Sequence, residues 1–149
     1  MLRMPRRTLY AIEAVLDIAY NAGDQPVRSS EITERQGIPA RYLEPVLQQL
    51  VRAGILLGVR GPRGGYRLGR DRRRITVGEI ARIAEGPEDD RDDEQPGSAL
   101  GRAVVRPLVQ TLEAEALARM DATSIDALCV EARAAGIAGA NSAPLDFTI

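Results

Sequence analysis

Apolar residues recur at steps of three and four positions through most of the chain, which is the spacing that lines up side chains on one face of an α-helix. The first stripe has five members: Leu9, Ile12, Val15, Leu16 and Ala19. It predicts a helix over about residues 6–21 that ends near Gly23, because glycine readily leaves the helical conformation.

A second helix is predicted directly after a polar turn. Val27 and Arg28 indicate a very short strand, and the side-chain oxygen of Ser29 or Ser30 is then suited to accept a hydrogen bond from the first amides of the helix. The helix closes at Gly37.

The third helix is expected to begin near Pro39 or Ala40 and to end at Gly54. Pro45 lies inside it and removes one backbone hydrogen bond, so we expect a kink or a late start. The predicted buried stripe is Leu43, Val46, Leu47, Leu50 and Val51.

A β-hairpin and a fourth helix follow. Residues 55–60 and 66–68 are typical of strands, and the turn GPRGG between them contains glycines that tolerate positive φ. Thr76 with Glu79 three positions later forms a capping box before the next helix. The predicted inward residues of that helix are Val77, Ile80, Ala81 and Ile83.

Residues 87–98, PEDDRDDEQPGS, contain six acids and two prolines and are predicted to be a flexible acidic connector. The connector separates an N-terminal unit (1–86) from a long helix with a short C-terminal helix (99–135), followed by a tail (136–149). Thr123 with Asp126 is a second predicted capping box. The long helix has an apolar stripe interrupted by Pro107: Leu100, Val104, Val105, Leu108, Leu112, Ala116 and Met120.

The composition of the 149 residues narrows the functional classes. There is no histidine, so zinc sites with imidazole ligands and catalytic triads built on imidazole are excluded within one chain. The only cysteine, Cys129, lies between Leu128 and Val130 and is predicted to be a small core residue. No apolar run approaches the roughly 20 residues of a membrane helix, and we expect a cytoplasmic protein that does not associate with a membrane.

Charge is divided unevenly although the formal net charge is only −1. Residues 1–86 carry 15 arginines and 9 acids, whereas residues 87–149 carry 5 arginines and 12 acids. Within the basic part, residues 58–74 contain seven arginines and one aspartate. A local basic surface of this kind is typical of proteins that bind nucleic acid.

Three helices, an arginine-rich hairpin and a long separate helix predict a mainly α fold: a winged helix-turn-helix with a long dimerisation helix. The third helix is the expected recognition helix, because a helix fits the major groove of DNA. Arg60, Arg63 and Arg67 are candidates on the hairpin, or wing. Residues 70–74 are suited to nonspecific phosphate contact or plain solvation. Each of these side chains is also open to a simpler interpretation as solvated surface.

Three runs of the chain resemble the Rrf2 family of bacterial transcriptional regulators. They are LYAIEAVLDIAY from Leu9, EITERQGIPARYLEPVLQQLVRAGILLGVRGPRGGYRLGRD from Glu31 and ITVGEIARIAEGP from Ile75. The signature VRGPxGGYxL is specific to that family. A later run, VVRPLVQTLEAEALARMDATSIDAL, is similar to the family's dimerisation helix and the turn after it.

The resemblance implies a homodimer, most often a repressor, that binds a pseudo-palindromic operator in double-stranded DNA. Helix three would enter the major groove and the wing arginine the minor groove. The candidate DNA-binding residues are Tyr10, Ser29, Ser30, Ala40, Arg41, Tyr42, Glu44, Arg60, Gly61, Arg63, Gly64 and Gly65. The candidate dimerisation residues are Leu100, Val104, Val105, Leu108, Leu112 and Ala116. Pro45 departs from the polar residue that the family often has there.

The chain departs from the cluster-binding members of that family in its sensor segment. Those members carry three cysteines in the connector, but here the connector has neither cysteine nor histidine. Because an iron–sulfur cluster is held by thiolates, we expect a member without a cluster or any other cofactor. The sequence leaves open a small-molecule or protein effector, whose identity it does not give.

Two other functions stay open on the sequence alone. A winged-helix module that binds protein instead of DNA is the main alternative, favoured by the acidic C-terminal part. An enzyme is not expected, because no nucleophile–base pair, phosphate loop or metal-ligand spacing is present.

Overall fold

The computed structural model describes residues 3–86 and 97–140. The predicted connector falls largely on residues 87–96 and most of the predicted tail on residues 141–149, which lie outside the described residues. The N-terminal elements are α1 (Arg6–Tyr20), α2 (Ser29–Gln36), α3 (Ala40–Arg52), β1 (Leu56–Val59) and β2 (Gly65–Leu68). A 3-10 turn (Arg72–Arg74) leads to α4 (Val77–Glu85). The C-terminal elements are α5 (Arg106–Asp121) and α6 (Ile125–Ala134). Among the described residues, no helix has the length and apolar character needed to cross a bilayer.

The mainly α fold with a two-stranded antiparallel hairpin is confirmed, but the buried face of α1 differs from the predicted stripe. Leu9 is 43% exposed, and Ile12 and Leu16 are only partly buried. The buried residues are Thr8, Ala11, Ala14, Val15, Asp17, Ile18 and Ala19. Because α1 contacts α2, α3, α4, α6 and β2, its small alanines are enclosed by neighbouring elements while some larger side chains lie at the edge.

The turn before α2 is built differently from the prediction. Arg28 is the residue before the helix, in extended conformation, and no side chain caps the helix. Ser29 and Ser30 are instead its first two residues, so neither is a cap. The predicted strand is reduced to a single bridge between Val27 and Tyr66, and Gly37, at φ 67°, ends α2 as expected.

Helix α3 begins at Ala40 and continues through Pro45, so a late start is wrong. Its buried residues are Leu43, Val46, Leu47 and Leu50, as predicted, and Val51 is partly buried.

The two capping predictions had different outcomes. The hydroxyl of Thr76 accepts a hydrogen bond from the Glu79 amide at 3.2 Å, which confirms the cap of α4. The cap of α6 is Ser124, whose oxygen accepts from the Ala127 amide at 3.0 Å. Thr123, the predicted cap, instead donates its hydroxyl to a carbonyl one turn earlier in α5.

The buried face of α4 differs from the prediction, since Ile83 is only partly buried, whereas Gly78 and Ala84 are buried. Near the C-terminal end of the described residues, Ile125 and Cys129 of α6 are fully buried in the same core as α1 and α3. Cys129 is therefore a core residue, and burial raises the pKa of its thiol, so the reactive thiolate is disfavoured.

Helix α5 contributes no buried residue to this core. A π-helical turn (Gly101–Val105) precedes it, and Pro107 lies in its first turn, where a missing amide is tolerated. Pro107 therefore lies near the start of α5 and does not break it. The predicted dimerisation residues are exposed along this segment: Leu100, Val104, Val105, Leu108 and Leu112 are 74%, 58%, 53%, 56% and 43% exposed, and Ala116 is exposed as well.

Candidate nucleic-acid interface

The outer side of α3 and the start of α1 form one aromatic and basic patch. The rings of Tyr10 and Tyr42 are 6.2 Å apart between centroids. The guanidinium carbon of Arg41 lies 4.7 Å from the centre of the Tyr42 ring, which is a cation–π distance. Ala40 and Glu44 are also exposed on α3. The structure thus brings together four predicted residues of α3 and one of α1.

The negative charge of Glu44 on α3 also acts on the wing, which is the hairpin of β1 and β2. Burial, and after it the negative charge of Glu44, raise the pKa of the Tyr66 phenol. The wing also contacts α3 directly through β1.

The remaining predicted residues lie around an open groove of about 660 Å³ between the start of α2 and the wing. Six of them line it: Ser29, Ser30, Arg60, Gly61, Gly64 and Gly65. Arg63 lies on a neighbouring groove with Arg28 and Glu31. The predicted set therefore occupies two adjoining surfaces, the patch on α3 and the groove beside the wing.

The wing glycines are explained by backbone geometry. Gly61 has φ 108°, in the region that favours glycine. A Cβ atom on Gly64 would lie 2.4 Å from the carbonyl oxygen of Val59, closer than any side chain tolerates. These two positions set the shape of the tip, and their contribution to DNA binding stays a prediction.

The structure separates the wing arginines into two kinds. Arg67 donates to the carbonyl oxygens of Asp24 at 2.6 Å and Gly23 at 3.3 Å, so its guanidinium is held against the turn after α1. Arg60 and Arg63 have no hydrogen-bond or ion-pair partner within residues 3–86 and 97–140. Arg67 lies on the hairpin as predicted, but unlike Arg60 and Arg63 it donates hydrogen bonds to backbone carbonyl groups.

Three of the four arginines at residues 70–74 form ion pairs. Arg70 pairs with Glu79, Arg72 with Asp126 at 2.8 Å and Arg73 with Asp71 at 3.2 Å. The hydrogen bonds from Arg73 lower the pKa of the Asp71 carboxyl. The pair between the 3-10 turn and α6 ties the C-terminal helix to the core. Arg70, Arg73 and Arg74 nevertheless remain exposed, so phosphate contact and solvation both stay predictions for this cluster.

A buried ion pair behind the interface escaped the sequence interpretation. The carboxylate of Asp17 is fully buried and accepts hydrogen bonds from Arg35 at 2.8 and 2.9 Å and from Gln36 at 2.8 Å. The hydrogen bond from Arg35 to Asp17 is the largest cause that raises the pKa of the arginine. The pair joins α1 to the end of α2, immediately before the turn into α3. The only sign of this pair in the sequence was Asp17 itself, an acid between the apolar residues Leu16 and Ile18 of the predicted helix.

A metal centre is not formed by the described part of the chain, where no group of three or more cysteine, aspartate or glutamate side chains is arranged to hold an ion. The residues also do not fit an iron–sulfur cluster, because the one thiol, that of Cys129, is fully buried in the core.

Comparison with known proteins gives three kinds of similarity. The family model described as "Rrf2: Iron-dependent Transcriptional regulator" matches residues 4–131. The HTH-type transcriptional regulator IscR of Photobacterium profundum is 46% identical over 79 residues, which cover 53% of this chain and 46% of the relative. IscR of Vibrio cholerae is 43% identical over the same length. The chain spans about half the length of the curated relatives it matches.

Solved structures extend the likeness to most of the chain. The structure of T. potens IscR has a TM-score of 0.74 and 29% sequence identity, and the match covers 96% of this chain and 93% of that one. Staphylococcus aureus CymR has a TM-score of 0.67 and 26% identity, with 84% and 96% covered.

Proposed function

The chain belongs to the Rrf2 family of transcriptional regulators, and we therefore propose that it is a sequence-specific, DNA-binding regulator. The observation that carries the proposal is the arrangement of the exposed side chains of α3 beside a wing whose Arg60 and Arg63 have no partner in the described residues. The named relatives are transcriptional regulators, which favours this function over an enzyme and over a winged-helix module that binds protein.

The geometry suggests which groove of the DNA each of the two surfaces would contact. Helix α3 would enter the major groove, where Arg41 is suited to guanine or phosphate, Glu44 to the amino group of cytosine and Tyr42 to a phosphate. The glycine-rich tip would bring Arg60 to the narrow, electronegative minor groove. Tyr10 and the start of α2 lie where they would contact flanking phosphates.

We further propose a homodimer on a pseudo-palindromic operator, with repression as its mode. Support for the dimer comes from the exposed apolar stripe of α5, because a water-soluble chain rarely leaves such a continuous apolar surface uncovered. A two-fold dimer presents two copies of α3, which explains why its operator would be a repeated, inverted half-site. The place of action would be the cytoplasm, where bacterial DNA is found.

We expect Arg60→Ala and Arg41→Ala to weaken operator binding in distinguishable ways. Loss of Arg60 should weaken binding of all sequences about equally and lower the salt dependence, log K against log salt, by about one unit. Loss of Arg41 should cost about 1–3 kcal/mol on the preferred operator and relax the choice of base. Band-shift titrations across salt, on an operator obtained by genome-wide selection, measure both effects.

Arg133→Ala, which removes one exposed cation from α6, is the matched control and should leave both the affinity and the slope unchanged. If selection with the parent protein enriches no sequence, the regulator proposal is wrong.

We also propose that the chain carries no iron–sulfur cluster. The support is the absence of cysteine and histidine from residues 87–98 and the burial of Cys129. Anaerobically purified protein should therefore be colourless, with no charge-transfer bands in the visible spectrum, and should still bind its operator. Visible bands that disappear with an iron chelator would overturn this expectation.

A further inference from the structure

The wing is attached to the rest of the chain along both edges of β2. On one edge β2 pairs with β1, from Leu56 opposite Leu68 to Val59 opposite Gly65. On the other edge, the backbones of Tyr66 and Val27 exchange two hydrogen bonds, of 3.0 and 2.7 Å. Strand β2 thus lies between β1 and the single bridging residue Val27.

The approach of the backbones on that second edge requires glycine at one position. A Cβ atom on Gly65 would lie 2.4 Å from the carbonyl oxygen of Val27. Any side chain there would push β2 away from the segment before α2. The contact is therefore close but short, and a single bridge holds a wing poorly, since even an isolated two-stranded hairpin is marginally stable in water.

Two arginines lie above and below this bridge and reinforce it. Arg67 binds the carbonyl oxygens of Asp24 and Gly23 in the turn after α1. Arg28 donates to the carbonyl oxygen of Pro62 at 2.8 Å, close to the tip of the wing. One arginine thus attaches the base of the wing and the other attaches its tip.

The acceptors in both cases are uncharged carbonyl oxygens. The contacts therefore orient each guanidinium without neutralising it. Arg67 directs two of its five N–H groups to the turn after α1, and Arg28 directs one to the tip of the wing. Arg60 and Arg63, by contrast, project from the wing that these contacts hold.

We propose that Arg67 and Arg28 are positioning residues, which hold the wing beside α3 so that Arg60 and Arg63 reach DNA, and that Arg67 itself makes no contact with DNA. The second half of this proposal rests on the proposed DNA-binding function. The first half concerns the free protein and can be tested without DNA.

The test without DNA is hydrogen exchange of the two amides in the bridge, those of Val27 and Tyr66. In full-length Arg67→Ala their exchange should be about tenfold faster than in the parent, because the loss of charge-assisted hydrogen bonds lowers the cost of opening the bridge. Arg133→Ala should leave their exchange unchanged. Equal exchange in the parent and Arg67→Ala would overturn the proposal.

The test with DNA uses the salt dependence of binding. Arg67→Ala should bind the operator about tenfold more weakly than the parent, but in the Arg60→Ala, Arg63→Ala background it should change neither the affinity nor the slope of log K against log salt, because the arginines that it positions are already absent. Arg67→Lys, which keeps the charge but not the planar pair of donors, should recover only part of the affinity. A further loss of one slope unit when Arg67→Ala is added to that background would show that Arg67 contacts phosphate and would overturn the proposal.

The outcomes separate this proposal from the proposed function. If the parent protein binds no DNA sequence, the proposed function fails, and the exchange measurement still decides whether Arg67 holds the wing. If Arg67→Ala does not fold, Arg28→Ala provides the same test at the tip, where exchange of the Gly64 amide, hydrogen-bonded to the Gly61 carbonyl at 2.9 Å, should become faster. Unchanged exchange in that variant would also overturn the proposal.

Discussion

Replacing Arg35 with alanine is expected to lower the free energy of unfolding by about 3 kcal/mol, because the carboxylate of Asp17 is left buried without its cation. Asp17 is fully buried, whereas the Arg35 side chain is 28% exposed. The loss of stability therefore comes mainly from the Asp17 carboxylate. In Arg35→Ala this carboxylate loses both hydrogen bonds from Arg35 and keeps the one from Gln36. Urea denaturation followed by far-ultraviolet circular dichroism measures the loss.

A second partner of the same arginine provides the matched control. Glu31 lies one helical turn before Arg35 and forms an exposed pair with it at 3.4 Å. Because exposed pairs of this spacing contribute only about 0.3–0.5 kcal/mol, Glu31→Ala should change the free energy of unfolding by no more than that. Equal effects of the Arg35 and Glu31 substitutions would contradict the assignment of a buried, structurally important pair.

The ion pair also has a consequence for function. It joins α1 to the last turn of α2, and the next helix is α3, the proposed recognition helix. A loosened pair would let α2 move relative to α1, and α3 would then lose its fixed position over the groove. In Arg35→Ala we therefore expect operator affinity to fall under conditions in which most of the protein is still folded.

Local signals in the sequence predicted the fold well where the relevant physics is local. The start of α3 at Ala40, its buried stripe and the Thr76 cap depend on residues within one or two turns of each other. The interior face of α1 depends instead on which elements surround the helix. Leu9 was expected inside and Ala11 was overlooked, because the size of a side chain does not show how closely its neighbours approach.

The partners of the charged residues in the candidate site were also not predictable from the sequence. The seven arginines of residues 58–74 are alike in the sequence, but the fold gives them different partners. Arg67 meets backbone carbonyl groups from a turn more than 40 residues away, and Arg72 meets Asp126 of α6. Local pairs such as Arg73 with Asp71, together with contacts between distant segments, decide which cations stay available to a ligand. The sequence therefore identified the basic region but not which of its arginines are free to bind.

Leu108→Asp is expected to convert the proposed dimer to a monomer and to weaken operator binding by about 100-fold or more. Leu108 is 56% exposed in the single chain and lies within the apolar stripe of α5. A carboxylate there would have to be stripped of water on association, which costs several kcal/mol without a partner charge. A monomer would bind one half-site and lose the gain in affinity from two linked sites, about 10²–10⁴-fold.

The experiment combines light scattering after size exclusion with band-shift titration, and Val130→Asp is its control. Val130 is 55% exposed on α6, so the same chemical change is made at a similar exposure outside the stripe. It should leave both the mass and the affinity at parental values. Because α5 buries no residue against the core, Leu108→Asp should keep the parental circular dichroism spectrum. A Leu108→Asp protein that stays dimeric would show that the subunits associate through another surface, and a monomer with full operator affinity would show that a single copy is sufficient.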